Sequence, residues 1–194
     1  MQHCEVDTPD KWTVSSDGWG LGWRLYDWDG VPGFGHDCAT IGQYGYLRVV
    51  PQAGVILVLL TNGGGARQLY VTLFRELLAE LAGVTMPPDF KPAPQPPVVD
   101  ITPFIGTYKR EGVIITFSER HGKPHLIYEF VDGMKDLSPP LEVDLVPVSE
   151  TVFAAPGSGP FSEDWMPVVF STLSTGIQCV YIGMRAAPSL PDDC

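Results

Sequence analysis

Val31-Pro32-Gly33-Phe34-Gly35-His36-Asp37-Cys38-Ala39-Thr40-Ile41-Gly42 sets a histidine among closely spaced glycines at the start of an alternating, strand-like run. The run continues as Gln43-Tyr44-Gly45-Tyr46-Leu47-Arg48-Val49-Val50, turns at Pro51-Gln52-Ala53-Gly54 and returns through Val55-Ile56-Leu57-Val58-Leu59-Leu60. Glycine inside a strand marks a bend or a close approach of backbone or ligand, so this segment reads as one wall of a site. Residues 55–60 are apolar at every position, which suits a strand covered on both faces.

After Thr61-Asn62-Gly63-Gly64-Gly65, residues 66–82 carry leucines at 69, 73, 77 and 81, with Phe74 and Leu78 widening the stripe. That spacing predicts an amphipathic helix, and Gly83 is placed to end it. One helix covers one face of a sheet, so cover for the second face must come from elsewhere. Upstream, Gly18-Trp19-Gly20-Leu21-Gly22-Trp23-Arg24-Leu25-Tyr26 reads as a glycine-rich strand whose tryptophans pack on the sheet.

Prolines at 87, 88, 92, 94, 96 and 97 forbid helix or central strand. Residues 85–102 are therefore expected to be a stiff, extended linker after a first part spanning 1–84. Beyond it, runs at 104–110, 113–118, 125–130, 141–147, 151–155, 168–173 and 177–184 alternate with turn signals at Glu111-Gly112, His121-Gly122-Lys123, Asp132-Gly133, Gly157-Ser158-Gly159-Pro160 and Thr175-Gly176. The pattern predicts an antiparallel meander closing into a small barrel over 103–188, with a tail at 189–194. The fold class expected is α+β.

Together these pieces resemble the C-terminal end of the serine beta-lactamase and penicillin-binding-protein superfamily. In that family a strand bearing Lys-Thr-Gly or His-x-Gly faces the nucleophilic serine. Here the triplet is His36-Asp37-Cys38. The resemblance implies that His36 orients substrate and adjusts protonation across the cleft, and that the Ala39 N–H donates to an oxyanion. Asp37, Cys38 and Thr40 would contact substrate. Cys38 stands where the family has glycine, and would narrow the cleft, supply a thiol or mark a loss of function. Phe104-Ile105-Gly106-Thr107-Tyr108 is similar to the start of the lipocalin-like domain appended to many such hydrolases.

Two family elements are absent. No serine has lysine three residues later, so Ser-x-x-Lys is missing, and the single asparagine, Asn62, does not sit in Tyr-x-Asn or Ser-x-Asn. The expectation is part of a serine hydrolase acting on an amide or ester, inactive without the lobe that carries the nucleophile. Two other classes stand beside it: a non-catalytic barrel that binds a small molecule or regulates a partner, and a remnant that folds by exchanging strands with another copy. A homo-oligomer or a complementing chain would cover the second sheet face.

The net charge of −11 argues against nucleic acid or an anionic membrane as partner. No apolar run reaches membrane-spanning length. Met1-Gln2-His3-Cys4-Glu5 shows no export signal, leaving cytoplasm as the default expectation. Cys4, Cys38, Cys179 and Cys194 form no C-x-x-C pair. His121 and His125 are separated by Gly122 and Pro124, which break a helical ligand spacing. No metal or cofactor is expected.

Overall fold

The computed structural model describes all residues except 7, 41, 158–163 and 192–194. One of the expected turns, Gly157-Ser158-Gly159-Pro160, therefore falls largely outside the described residues. The chain is mixed α+β, with antiparallel sheets and, among the described residues, one α-helix. It divides into two units, Met1–Asp89 and Phe90–Cys194.

The first unit is a five-stranded antiparallel meander of β1 (Gly18–Trp19), β2 (Arg24–Trp28), β3 (Val31–Thr40), β4 (Gln43–Val50) and β5 (Val55–Thr61), in that order across the sheet. Short turns set the order. The β3–β4 hairpin closes at the Thr40–Gln43 pair with Gly42 at φ +74, and the β4–β5 turn ends at Gly54 with φ +65, a conformation that suits glycine. Helix α1 (Ala66–Ala82) then packs on one face of the sheet. At Gly83 the backbone turns left-handed, its N–H reaching back to the Ala79 and Leu78 carbonyls, and Val84 tucks in behind it.

The helix bounds match the sequence expectation, but its buried stripe is rotated. Ala66, Tyr70, Val71, Phe74 and Leu78 face the sheet, while Leu69 and Leu81 lie exposed. Tyr70 decides the rotation, because its ring stacks on Tyr46 and its hydroxyl meets the buried Arg48. Leucine count overlooked this, since an aromatic with a polar tip satisfies a buried cation and fills space at once.

β5 departs from the expectation of burial on both faces. Leu57 is buried against the helix side, whereas Ile56, Val58 and Leu60 are 66, 61 and 78% exposed on the other. Among the described residues of this unit, α1 is the one helix packed on the sheet.

In the second unit, β6 (Gly106–Arg110), β7 (Val113–Arg120), β8 (Lys123–Phe130) and β9 (Leu141–Asp144) form one antiparallel sheet. A second contains β10 (Val146–Pro147), β11 (Val152–Pro156), β12 (Trp165–Thr172), β13 (Gln178–Ile182) and β14 (Arg185–Pro188). The expected closed barrel is thus corrected to two sheets around one core. The run 141–147 breaks at Leu145, whose N–H turns to the Pro124 carbonyl while its side chain enters the core. At the opposite seam a lone bridge, Tyr108 to Ser189, joins the sheets. The interior is filled by Phe117, Phe153, Phe170 and Tyr108, whose rings contact one another edge to face or tilted.

Residues 84–101 contain no helix or strand, in keeping with their prolines. Their ends are not free, because Val84 joins the core of the first unit and Ile101 that of the second.

Candidate active site

β3 is built for close approach. A Cβ on Gly33 would stand 2.3 Å from the Trp28 ring, and one on Gly35 2.0 Å from the Leu47 carbonyl oxygen. Neither position has room for a side chain. The strand can therefore lie tight between β2 and β4 up to Gly35, where its pairing with β2 ends at Arg24.

From there to Thr40, β3 is paired with β4 alone among the described residues. The direction of its free backbone groups follows from the ladder. Gly20 donates to the Trp23 carbonyl, so alternation turns the backbone groups of Trp23 and Leu25 toward β1 and those of Arg24 and Tyr26 toward β3. Gly35, opposite Arg24, faces β2 in return, and Asp37 and Ala39 continue in the same sense. The Ala39 N–H accordingly points out of an open sheet edge.

Side chains alternate about that edge. Cys38 and Thr40 are exposed on the face away from the helix, together with Gln43 and Leu60. They line a hollow of about 360 Å³ that also takes in Ala39, Tyr44, Gly45, Thr61 and Asn62. A Cβ on Gly45 would come within 2.7 Å of the Cys38 Sγ, so the thiol stands close over the bare backbone there. His36 is half-buried one step away, its ring edge-on to Trp19 with centroids 6.0 Å apart, and is not part of the hollow's lining.

Asp37 points to the opposite, helix-covered face. Its Oδ2 accepts from Arg24 Nη1 at 2.9 Å and its Oδ1 from Arg48 Nη1 at 2.6 Å. Arg48 is 3% exposed; its Nη2 donates to the Tyr70 hydroxyl at 2.5 Å, and its guanidinium carbon lies 4.8 and 5.0 Å from the ring centroids of Tyr26 and Tyr70. Burial alone would weaken the guanidinium's hold on its proton, but the oxygens of Tyr26, Tyr70 and Asp37 outweigh it and push the group further up. Burial likewise pushes the Tyr26 and Tyr70 hydroxyls above the usual phenol range, against the pull of Arg48.

Of the five residues singled out in the sequence, Cys38, Ala39 and Thr40 thus meet in one hollow. His36 flanks it on the same face, and Asp37 anchors the strand from behind. The Arg24–Asp37–Arg48–Tyr70 network was not foreseen, although Arg48, the one charged residue of β4, signals a buried counter-ion. Gln43 and Asn62 were likewise missed as lining residues, because a polar residue at a strand end is most often a turn former.

No protein-family profile matches the chain. Over 103 residues, 53% of its length, it is 59% identical to penicillin-binding protein 4 of Amycolatopsis lactamdurans, and the match takes in 27% of that relative. A crystal structure of SurE with D-Leu superposes on 96% of the chain with a TM-score of 0.67 at 20% identity, covering 42% of that protein. A second SurE structure gives 95%, 0.61 and 22%, covering 40%. The chain is therefore similar in sequence to a penicillin-binding protein, shares the fold of part of SurE, and spans less than half the length of either.

Proposed function

We propose that this chain forms one wall of the acyl-transfer site of a penicillin-binding-protein-like serine hydrolase. The observation that carries the reading is the open β3 edge, with the Ala39 N–H directed outward beside the hollow at Cys38 and Thr40. A carbonyl substrate laid along that edge would find a fixed backbone donor for the oxygen that becomes negative when a serine Oγ adds to the carbonyl carbon. The tetrahedral adduct then collapses, expelling the amine or alcohol and leaving the acyl group on the serine. His36, on the hollow's side of β3, would orient substrate, with Cys38 and Thr40 limiting what fits. The similarity to penicillin-binding protein 4 supports the same reading. The sequence holds no Ser-x-x-Lys, so the chain by itself performs no acyl transfer.

The test is a chimera in which residues 1–89 replace the corresponding part of the Amycolatopsis penicillin-binding protein 4, exposed to a fluorescent penicillin. Labelling is expected in the chimera, and none in the isolated chain. Ala39→Pro removes the N–H at a position where no strand needs it, and its labelling rate should fall by about 10²–10³. A chimera that labels equally well with proline at 39 overturns the oxyanion role. Labelling of the isolated chain overturns its inactivity, with Cys38→Ala the first control.

A further inference from the structure

We propose that Arg24 is a positioning residue for acyl transfer, fixing through Asp37 the direction in which the Ala39 N–H points. The proposal rests on the hydrolase reading and deepens it, giving a part in that site to a side chain on the neighbouring strand.

On the helix-covered face, β3 carries Gly33, Gly35, Asp37 and Ala39 in succession. The first two are bare, and neighbours fill the space above them. The Trp28 ring lies over Gly33, and the Arg48 stem crosses over Gly35, where a Cβ would stand 3.2 Å from the Arg48 Cδ. Arg48 thereby reaches Asp37 from β4, while Arg24 reaches it from β2, each on its own carboxylate oxygen.

The two sides are not equivalent. Toward β4 the backbone ladder runs on through Asp37–Tyr46 and Ala39–Tyr44 to Thr40–Gln43, so Arg48 reinforces pairs already made. Its guanidinium is also bound to the Leu47 carbonyl and the Tyr70 hydroxyl. Toward β2 the ladder ends at Arg24–Gly35. Beyond that pair, among the described residues, the strand's link to β2 on this face is the Arg24–Asp37 ion pair at 2.9 Å. The root of that link is fixed, because Arg24 pairs with Trp19 of β1 as well as with Gly35. Its side chain is 11% exposed and that of Asp37 23%, so the pair is largely shielded from the water that loosens surface ion pairs.

A strand paired on one side alone is free to twist about its ladder, and narrow ribbons twist more than wide sheets. Ala39 lies two residues past Asp37, about 7 Å along the strand, so a rotation at Asp37 is carried to the amide. A donor to a developing oxyanion must stand within about 3.1 Å of it, and a misplacement of about 1 Å costs on the order of 10²-fold in rate. Arg24 thus supplies stiffness where backbone pairing has stopped and where acyl transfer needs it.

The test is amide relaxation by NMR on the whole chain, comparing the wild type with Arg24→Met and Arg24→Lys. The same changes then enter the penicillin-binding protein 4 chimera, with penicillin labelling resolved into reversible binding and the acylation rate constant. In the wild type the Ala39 amide should have an order parameter of about 0.85, as rigid backbone does. Methionine should bring it below about 0.6 while the Arg48 and Tyr70 amides keep their values, and lysine should restore it. In the chimera, methionine should slow acylation about tenfold with reversible binding changed by less than about twofold, and lysine should recover most of the rate. A merely structural role would loosen every amide of the first unit and weaken binding together with rate. That result overturns the proposal, as does an Ala39 amide indifferent to methionine. If the methionine variant does not fold, Arg24→Gln, shorter and neutral, supplies the same comparison. An unsubstituted chimera that fails to label overturns the hydrolase reading, and the relaxation pattern then decides by itself whether Arg24 sets the Ala39 N–H.

Discussion

Replacing Asp37 by asparagine should unfold the first unit at markedly lower denaturant. The side chain keeps its shape but loses the charge that two guanidiniums share, Arg24 at 2.9 Å and Arg48 at 2.6 Å. Each hydrogen bond to a charged group contributes about 1.5–3 kcal/mol. With 23% of the Asp37 side chain exposed, water replaces part of what is lost. The lower end of the sum applies, about 3 kcal/mol. For a unit of 89 residues that corresponds to a fall in Tm of roughly 12–24 °C. Tryptophan fluorescence during urea unfolding is a suitable assay, because Trp12, Trp19, Trp23 and Trp28 all lie in this unit and only Trp165 lies outside it. The slope with denaturant should stay constant while the midpoint moves. Asp37→Leu combined with Arg48→Met should cost less than the two single changes added together, since a buried cation without its anion is worse than neither. A loss below about 0.5 kcal/mol for the asparagine variant, or single effects that simply add, would refute the claim that this carboxylate holds the sheet to its helix.

Gly45→Ala should cost about 1–3 kcal/mol, because the new Cβ meets the Cys38 Sγ at 2.7 Å and Leu60 at 3.3 Å. Adding Cys38→Gly should recover most of that loss in the same urea titration, and an unchanged loss would locate the strain elsewhere. Alkaline pH should also destabilise the chain. Tyr26, Tyr70 and Tyr108 have hydroxyls raised chiefly by burial, so the folded state holds these protons more tightly than the unfolded one. Their contribution is fully present below the ordinary phenol value of about 10 and is lost as pH climbs past it toward the folded values. Tyrosinate absorbance near 295 nm should therefore lag behind that of free tyrosine until the far-ultraviolet circular dichroism collapses. Complete reversible ionisation near pH 10 in a folded chain would contradict this.

Much of the architecture was legible because the turns are written in glycine. Gly42, Gly54 and Gly83 sit at positive φ where the sequence suggested two hairpins and a helix end. Most strands of the second unit fall within a few residues of the apolar runs. β14 was missed as a separate strand, since Arg185–Pro188 has no β-branched or aromatic residue and is held by pairing and by the buried Ala187. Barrel closure was misjudged because alternation reports which face of a strand is buried, and says nothing of whether the hydrogen-bonded ladder runs on from one strand to the next or breaks into two sheets. At the site, the neighbourhood of Cys38, Ala39 and Thr40 could be read from β3 alone. The partners of Asp37 could not, being on β2 and β4, with Tyr70 completing the group from the helix.

The Arg48 network also works as a spelling check on the hairpin. If β3 slid by one residue along β4, every side chain on it would change face. Asp37 would emerge on the outer side, and His36 would be driven in against a guanidinium that is 3% exposed and bound to the Tyr70 hydroxyl. Apolar strands such as β5 tolerate slippage, since one branched aliphatic side chain fits nearly as well as its neighbour. A buried ion triple does not. The alignment that lets Arg24, Asp37 and Arg48 meet is also the one that turns Cys38 and Thr40 toward the hollow and the Ala39 N–H toward the open edge, so a single arrangement of charges selects which residues the outer face displays.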